Sequence, residues 1–510
     1  MNGKKKERAP IALVILDGFG YRAESDNNAI ALAHTPNIQS WLSHYPHTLL
    51  QASGRAVGLP DGYMGNSEVG HMTIGCGRII NQPITQINQA IDSGLFFENH
   101  IVLEALDTIK KRGGRLHIMG LLSDAGVHAH EKHLYAYMQA AKNSGIQEII
   151  IHVFLDGRDT APRSAQIHLE RLDTKIQEIG IGSLGSVHGR FYAMDRDSNW
   201  GRIEKSYRCL TEFLEQEIQF TDWQALLDYY YQQNITDEFI IPTQMPGFKP
   251  VGDNDGIIFI NIRPDRARQL TAAFVDPDCD HFERELINLS CCVTPISYSP
   301  DLDTTVLLPK NNVTQCLMQE LDAADVSLFT IAETEKYAHV TYFFNGGHEK
   351  SWPNERRILI PSLRRKTYAQ SPQMSAANIT EYIIESLQTN PRNFYLINYA
   401  NADMVGHSGN LQATVQAIEF LDEQLKKLYD EIVIVHGGTL CITADHGKAE
   451  SMVDDNNNQA CTAHTTHPVP FIMIQKDLYD ISYPLPLVGL SDIAPFILRM
   501  YGIKVPKQME

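Results

Sequence analysis

The stretch Leu440-Cys-Ile-Thr-Ala-Asp-His-Gly447 decides the fold. Its first half is a short apolar run. Its second half sets a carboxylate, Asp445, beside an imidazole, His446, where a strand would end. The same pattern recurs: Asp17 closes the run Ile11-Ala-Leu-Val-Ile-Leu16, and Asp403 and His407 follow Phe394-Tyr-Leu-Ile-Asn-Tyr399. Further apolar runs occupy 116–122, 149–155 and 257–262. Buried runs alternating with amphipathic helices predict an α/β protein with mostly parallel sheets. In such sheets ligands gather beyond the carboxyl ends of the strands, where nearly every chemistry-bearing residue of this chain lies.

A chain of 510 residues exceeds one ordinary core, so two domains are expected. Hydrophobic content of 43% and charged content of 20% describe a soluble globular protein. The net charge of −18 argues against nucleic acid or an anionic membrane as a partner. An anionic small-molecule substrate would need locally clustered Arg and Lys. Eight cysteines without a CxxC pair read as reduced thiols of a cytoplasmic protein. After the basic Lys4-Lys-Lys-Glu-Arg8, the apolar run is broken at Asp17, too soon for a signal-peptide core. No segment reaches the length of a membrane span.

Metal-type residues cluster near both ends of the chain, and an Arg-rich set lies between His128 and Arg266. That distribution predicts a middle domain, 82–312, inserted into an outer one made of 1–81 and 313–510. The crossings fall near Asn81-Gln-Pro83 and Pro309-Lys-Asn-Asn312, with helices expected over 84–92 and 313–321.

Asp403 and His407 are four apart, which on one helical turn puts both on the same face; such a pair suits Mn or Zn. Asp445 and His446 are neighbours, so on an extended segment they diverge and could serve two different ions rather than one. His464, in Ala463-His-Thr-Thr-His-Pro468, completes one set; Asp17 and Ser67 complete the other. Taken singly, each has a plainer role: a strand-end Asp caps a helix, a His satisfies a carbonyl, and a Ser in the glycine-rich Gly65-Asn-Ser-Glu-Val-Gly-His71 is an N-cap. Seven together point instead to two-metal phosphoryl transfer, with Ser67 as nucleophile at a helix N-terminus. The middle segment carries His128, then Asp156-Gly-Arg-Asp-Thr160 with Arg158 and Asp159, then Arg190 and Arg196, then Arg263-Pro-Asp-Arg266. Guanidinium forks match carboxylate and phosphate, although Asp–Arg salt bridges are the plainer alternative. Asp159 beside Arg158 would stay ionised and serve as a general base toward a hydroxyl.

Together these strings resemble the cofactor-independent phosphoglycerate mutases of the alkaline phosphatase superfamily. The resemblance is carried by Leu16-Asp-Gly-Phe-Gly20, Gly65-Asn-Ser-Glu-Val-Gly-His71, Phe154-Leu-Asp-Gly-Arg-Asp-Thr160, Arg190-Phe-Tyr-Ala-Met-Asp-Arg-Asp197 and Asn261-Ile-Arg-Pro-Asp-Arg266. Ala332-Glu-Thr-Glu-Lys-Tyr-Ala-His-Val-Thr341, Asn401-Ala-Asp-Met-Val-Gly-His407, Thr443-Ala-Asp-His-Gly447 and Ala463-His-Thr-Thr-His-Pro-Val-Pro470 complete it, in family order through almost the whole chain. It implies an alkaline-phosphatase-like domain with a mostly parallel sheet, interrupted by an inserted transferase-like α/β domain. It implies a cytoplasmic, monomeric isomerase that interconverts 3-phosphoglycerate and 2-phosphoglycerate in glycolysis and gluconeogenesis. The route would be a phosphoserine on Ser67, with two Mn2+ ions and no bisphosphoglycerate. Asp403, His407 and His464 would hold one ion; Asp17, Ser67, Asp445 and His446 the other. His128, Arg158, Asp159, Arg190 and Arg196 would hold the glycerate, and Arg263, Arg266 and Lys336 the phosphate. Ser67, Asp159 and Lys336 would be catalytic.

Some positions depart from the family pattern. Ala125 and Ala129 flank His128 where Gly and Ser are usual, Phe19 replaces a Trp, and His467 stands where Asn is usual. The Ala-His-Thr string selects His464 over His467 as the ligand. A phosphohydrolase or another phosphomutase of the superfamily would share the outer domain but not the Arg-rich middle. A non-catalytic phosphometabolite sensor would need a lost nucleophile or ligand, and none is missing.

Overall fold

The computed structural model describes residues 8–215, 218–309, 313–454, 459–481 and 483–510. In it the runs Ile11–Leu16, Leu116–Leu122, Ile149–Leu155 and Phe394–Tyr399 are strands, and every residue of each is buried. The runs at 257–262 and 440–443 are strands with shifted ends, Gly256–Phe259 and Thr439–Thr443. Continuous apolar burial is what a strand covered by helices on both faces requires.

The chain forms two compact units, Met1–Asn81 with Asn312–Glu510, and Gln82–Asn311. The first is built on a seven-stranded sheet in the order Glu355–Ile360, Leu328–Glu333, Phe394–Tyr399, Ile11–Leu16, Thr439–Thr443, Val469–Gln475, His47–Leu50. The first five of these strands are parallel, and Val469–Gln475 and His47–Leu50 add two antiparallel pairings. The second unit has its own seven-stranded sheet, in the order Thr243–Gln244, Ser183–Gly189, Ile149–Leu155, Leu116–Leu122, Gly256–Phe259, Cys291–Thr294, Thr305–Val306. Only its pairing with Thr243–Gln244 is antiparallel. Both units are therefore α/β with mostly parallel sheets.

The helix expected over 84–92 runs Pro83–Ser93, started by a proline that fits the first helical position and stopped by Gly94 at φ 82°. The helix expected over 313–321 is instead Leu317–Ala323, because Gln315 adopts a left-handed φ of 60° that breaks the first turn. The basic segment 4–7, the second crossing at 310–312 and the polar loop at 455–458 lie outside the described residues. Among the described residues, no helix is long and apolar enough to cross a membrane. All eight cysteines are free thiols.

Candidate active site

Four neighbouring parallel strands of the first unit end on one edge, and each delivers a functional side chain there. Leu328–Glu333 leads to Lys336, Phe394–Tyr399 to Asp403, Ile11–Leu16 to Asp17, and Thr439–Thr443 to Asp445 and His446. Ser67 opens the helix Ser67–Cys76 but does not cap it; the Asn66 side chain does so, accepting the Val69 N–H at 3.1 Å. The Ser67 hydroxyl is thereby left for the site. Its Oγ lies 3.1 Å from Asp17 Oδ1, 3.1 Å from His446 Nε2 and 2.7 Å from Lys336 Nζ.

The Lys336 ammonium is central to this group. It donates to Asp17 Oδ1 at 2.7 Å and to Asp403 Oδ2 at 2.6 Å, and all three side chains are buried. Burial drags the ammonium down, but Asp17, Asp403 and Asp445 outweigh it and hold its pKa above that of an ordinary lysine. Burial pushes Asp17 and Asp403 up, but Lys336 first and then imidazoles hold both well below the usual carboxylate range. For His446, burial is outweighed by Asp445, Asp17 and Asp403, and its pKa rises to about 9.

The helical spacing of Asp403 and His407 does place them together, with Asp403 Oδ1 3.1 Å from His407 Nε2 and 3.4 Å from His464 Nε2. His407 Nδ1 donates to the Thr462 carbonyl at 2.7 Å and His464 Nδ1 to the Gly65 carbonyl at 2.9 Å. A carbonyl only accepts, so each ring in its neutral form keeps its proton on Nδ1 and carries a bare lone pair on Nε2. Those lone pairs face each other at 3.1 Å, beside an Asp403 Oδ1 that is buried without a hydrogen bond. Three lone-pair atoms turned toward one another repel unless a cation lies among them, so these residues fit a divalent metal. Asp445 Oδ2 is likewise buried without a hydrogen bond. Among the described residues, two groups have donor atoms within 4.8 Å of one another: Asp403, His446 and His464, and Asp17, His71 and Asp445. His446 thus stands with Asp403 and His464 as well as 3.5 Å from Asp17.

Nothing in the local sequence marks His71 as a site residue, although its position four residues after Ser67 on a helix puts both on one face. Its Nδ1 donates to the Ser67 carbonyl at 2.8 Å and sits 3.1 Å from Asp445 Oδ2. Its Nε2 is 3.0 Å from the Asn398 amide, which also donates to Asp17 Oδ2 at 2.9 Å. With both ring nitrogens engaged, His71 orients the acids and has no free lone pair to offer. His467 belongs to neither of those groups and pairs with the buried Glu450 at 3.0 Å.

In the second unit the predicted residues also gather at the carboxyl ends of four neighbouring strands. Arg190, fully buried, donates through Nη1 to Asp156 Oδ1 at 2.5 Å and Asp159 Oδ2 at 2.6 Å. Asp159 is therefore partnered by Arg190, whereas Arg158, expected beside it, reaches 3.5 Å toward Glu238. Adjacent residues of a turn point apart, and the guanidinium that meets Asp159 comes from the next strand. Asp265, also without an assigned role, draws Arg196 at 3.1 Å, with His128 and Arg263 each at 3.7 Å. Burial and then Arg190 pull the His128 pKa down to about 4, so its ring is neutral near pH 7. Arg266 donates to the Met194 carbonyl at 3.1 Å.

Acids, imidazoles and a hydroxyl gathered at the carboxyl edge of a mostly parallel sheet mark the chain as an α/β enzyme with its active site at the strand ends. Residues 87–300 match the family described as BPG-independent PGAM N-terminus. The chain is 45% identical to a 2,3-bisphosphoglycerate-independent phosphoglycerate mutase of Legionella pneumophila, over 98% of this chain and 97% of that one. It is 46% identical to the enzyme of the same name from Thermosynechococcus vestitus, over 98% and 94%. A crystal structure of Leishmania mexicana phosphoglycerate mutase, determined at low cobalt concentration, superposes with a TM-score of 0.74 at 30% identity, covering 100% of this chain and 98% of that one. The chain belongs to the family of 2,3-bisphosphoglycerate-independent phosphoglycerate mutases, which are isomerases.

Proposed function

We propose that this chain interconverts 3-phosphoglycerate and 2-phosphoglycerate through a phosphoserine on Ser67, without bisphosphoglycerate. The observation that supports it is the convergence on one buried hydroxyl of Asp17, His446 and Lys336, all within 3.1 Å. Two divalent cations, Mn2+ by family resemblance, held by Asp403, His407 and His464 and by Asp17, Ser67, Asp445 and His446, would supply the charge that favours a serine alkoxide near neutral pH. The Ser67 Oγ attacks phosphorus, the Oγ–P bond forms, and the bond to the glycerate oxygen breaks. Lys336 offsets the negative charge that grows on the transferring group, and the family resemblance assigns Arg263 and Arg266 to the phosphate as well.

Glycerate must then present its other hydroxyl. Asp159 relays that proton to the oxygen that has just left phosphorus, neutral His128 holds the hydroxyl, and Arg158, Arg190 and Arg196 hold the carboxylate. The new oxygen attacks phosphorus, the Oγ–P bond breaks, and the substrate's own phosphoryl group ends on the neighbouring carbon. The pairing of Arg196 with Asp265 at 3.1 Å supports this, because a guanidinium that binds one carboxylate can bind another. The eight free thiols favour a reducing cytoplasmic setting.

Ser67→Ala tests the route. Turnover in a coupled assay lacking bisphosphoglycerate should fall by a factor on the order of 10⁴ or more. Mn2+ binding should persist, and quenched wild-type enzyme should carry a phosphoryl group on Ser67 by mass spectrometry. Wild-type turnover in the variant would refute the phosphoserine. Phosphate release without isomerisation by the native enzyme would point to a phosphohydrolase.

A further inference from the structure

We propose that Glu450 is a positioning residue that sets the spacing of the two metal-ligand groups, by holding three ligand-bearing segments on one buried carboxylate; the inference rests on the metal reading of the site. Glu450 is fully buried. Its Oε2 accepts the Gly20 N–H at 3.1 Å and the Lys448 N–H at 2.8 Å. Its Oε1 accepts the Thr465 hydroxyl and His467 Nδ1–H, the latter at 3.0 Å. Gly20 follows Asp17 by three residues, Lys448 follows His446 by two, and Thr465 adjoins His464. One side chain thus ties together the segments that carry Asp17, Asp445 with His446, and His464.

Two backbone links run alongside it. The Ala449 N–H donates to the Gly18 carbonyl at 3.0 Å, and the Thr465 N–H to the Gly447 carbonyl at 3.0 Å. The glycines of the flanking motifs record how tightly the carboxylate is held. A Cβ on Gly20 would lie 2.3 Å from Glu450 Cδ, and one on Gly447 would lie 2.5 Å from Glu450 Oε1. Both positions must lack a side chain for Glu450 to reach its donors.

Four inward-pointing donors and no acceptor demand an anion there. They also occupy the carboxylate's lone-pair sites, so Glu450 has none left for a cation and acts through its neighbours. Burial pushes the Glu450 carboxyl up, but His467 and Thr465 reverse this and leave it below the usual glutamate value. The same geometry assigns His467: it anchors the His464 segment to Glu450 through Nδ1.

Mn2+ titration calorimetry tests this on the full chain, at a temperature where each variant is folded. Glu450→Gln keeps the shape but turns an amide NH2 against two of the four donors. Mn2+ affinity should weaken by about 10- to 100-fold, the range found when groups behind metal ligands are altered. His467→Ala, at a half-exposed position, should weaken it less, and His467→Gln, which restores an N–H donor, should recover it. A merely structural role would lower the melting temperature of the metal-free protein and leave these dissociation constants unmoved. Wild-type affinity in Glu450→Gln, or in His467→Ala if Glu450→Gln does not fold, overturns the proposal. Failure of the wild-type protein itself to bind Mn2+ would overturn the metal reading instead.

Discussion

At Ser67 a local role and a functional role compete, and the neighbouring residue resolves the contest. Asn66 caps the helix, so nothing local claims the serine hydroxyl. His407 and His464 are divided in the same way: each spends Nδ1 on a carbonyl and leaves Nε2 facing Asp403. Lys336 makes the sharpest prediction at this scale. Its ammonium separates the buried Asp17 and Asp403 carboxylates, at 2.7 and 2.6 Å. Lys336→Met removes that charge and leaves two anions without their partner, which costs about 3–5 kcal/mol when one member of a buried pair is lost. The metal-free variant should melt well below the metal-free wild type. Mn2+ should raise the melting temperature of the variant more than that of the wild type, because added cations replace the missing charge. An unchanged melting temperature without metal would show that the ammonium does not neutralise those acids.

The helix Ser67–Cys76 shows how an element, and not a single side chain, builds the site. Gly70 faces the segment after Thr439–Thr443, and a Cβ there would lie 2.4 Å from the Asp445 carbonyl oxygen and 2.8 Å from Asp445 Cβ. In an ordinary helix interior, Gly to Ala adds about 1 kcal/mol of stability. Here the methyl group must push the Asp445 segment away, so Gly70→Ala should cost about 1–3 kcal/mol as overpacking does, and Mn2+ binding should weaken with it. Gly75, on the same helix, abuts the Phe344 carbonyl at 2.0 Å from its hypothetical Cβ. Gly75→Ala should destabilise while leaving Mn2+ affinity nearer to wild type. Equal affinities in the two variants would mean that the helix does not register the Asp445 segment. The motif Gly65–His71 was legible in sequence as a glycine-rich turn, but the reason for Gly70 was not, because its partner lies hundreds of residues away.

Over the whole molecule, legibility followed hydrophobic continuity. Runs such as Ile11–Leu16 and Ile149–Leu155 announced themselves because both faces of a parallel strand are buried. Ser183–Gly189 did not: its Ser186 and His188 interrupt any apolar run, yet both are buried. The Ser186 hydroxyl and His188 Nε2 are met inside the sheet by a chain of polar groups that only strand pairing reveals. Asp255 holds His117 Nε2 at 3.2 Å, His117 Nδ1 meets His152 Nε2 at 2.9 Å, and Ser186 bridges His152 and His188 at 2.7 Å each. The partners of the arginines were hidden for the same reason: Asp159 and Arg190 meet only because their strands are neighbours. This buried histidine content has a consequence for pH. Burial lowers His117 and takes His152 well below its ordinary value, and it lowers both His133 and His188 to about 3. The His133 and His188 rings are neutral near pH 7 when folded but titrate near the ordinary 6.5 when unfolded. Below pH 6.5 the unfolded chain therefore binds more protons, and stability falls as pH drops from there toward 3. Each such group contributes up to about 1.4 kcal/mol per pH unit in that window. His133, whose ring donates to Asn88 at 3.1 Å, offers the cleanest test, since glutamine retains a donor there. His133→Gln should lose less stability than wild type between pH 7 and pH 5.5, by chemical denaturation at matched conditions. Parallel stability–pH curves for the two proteins would mean that His133 is already able to take a proton in the folded state.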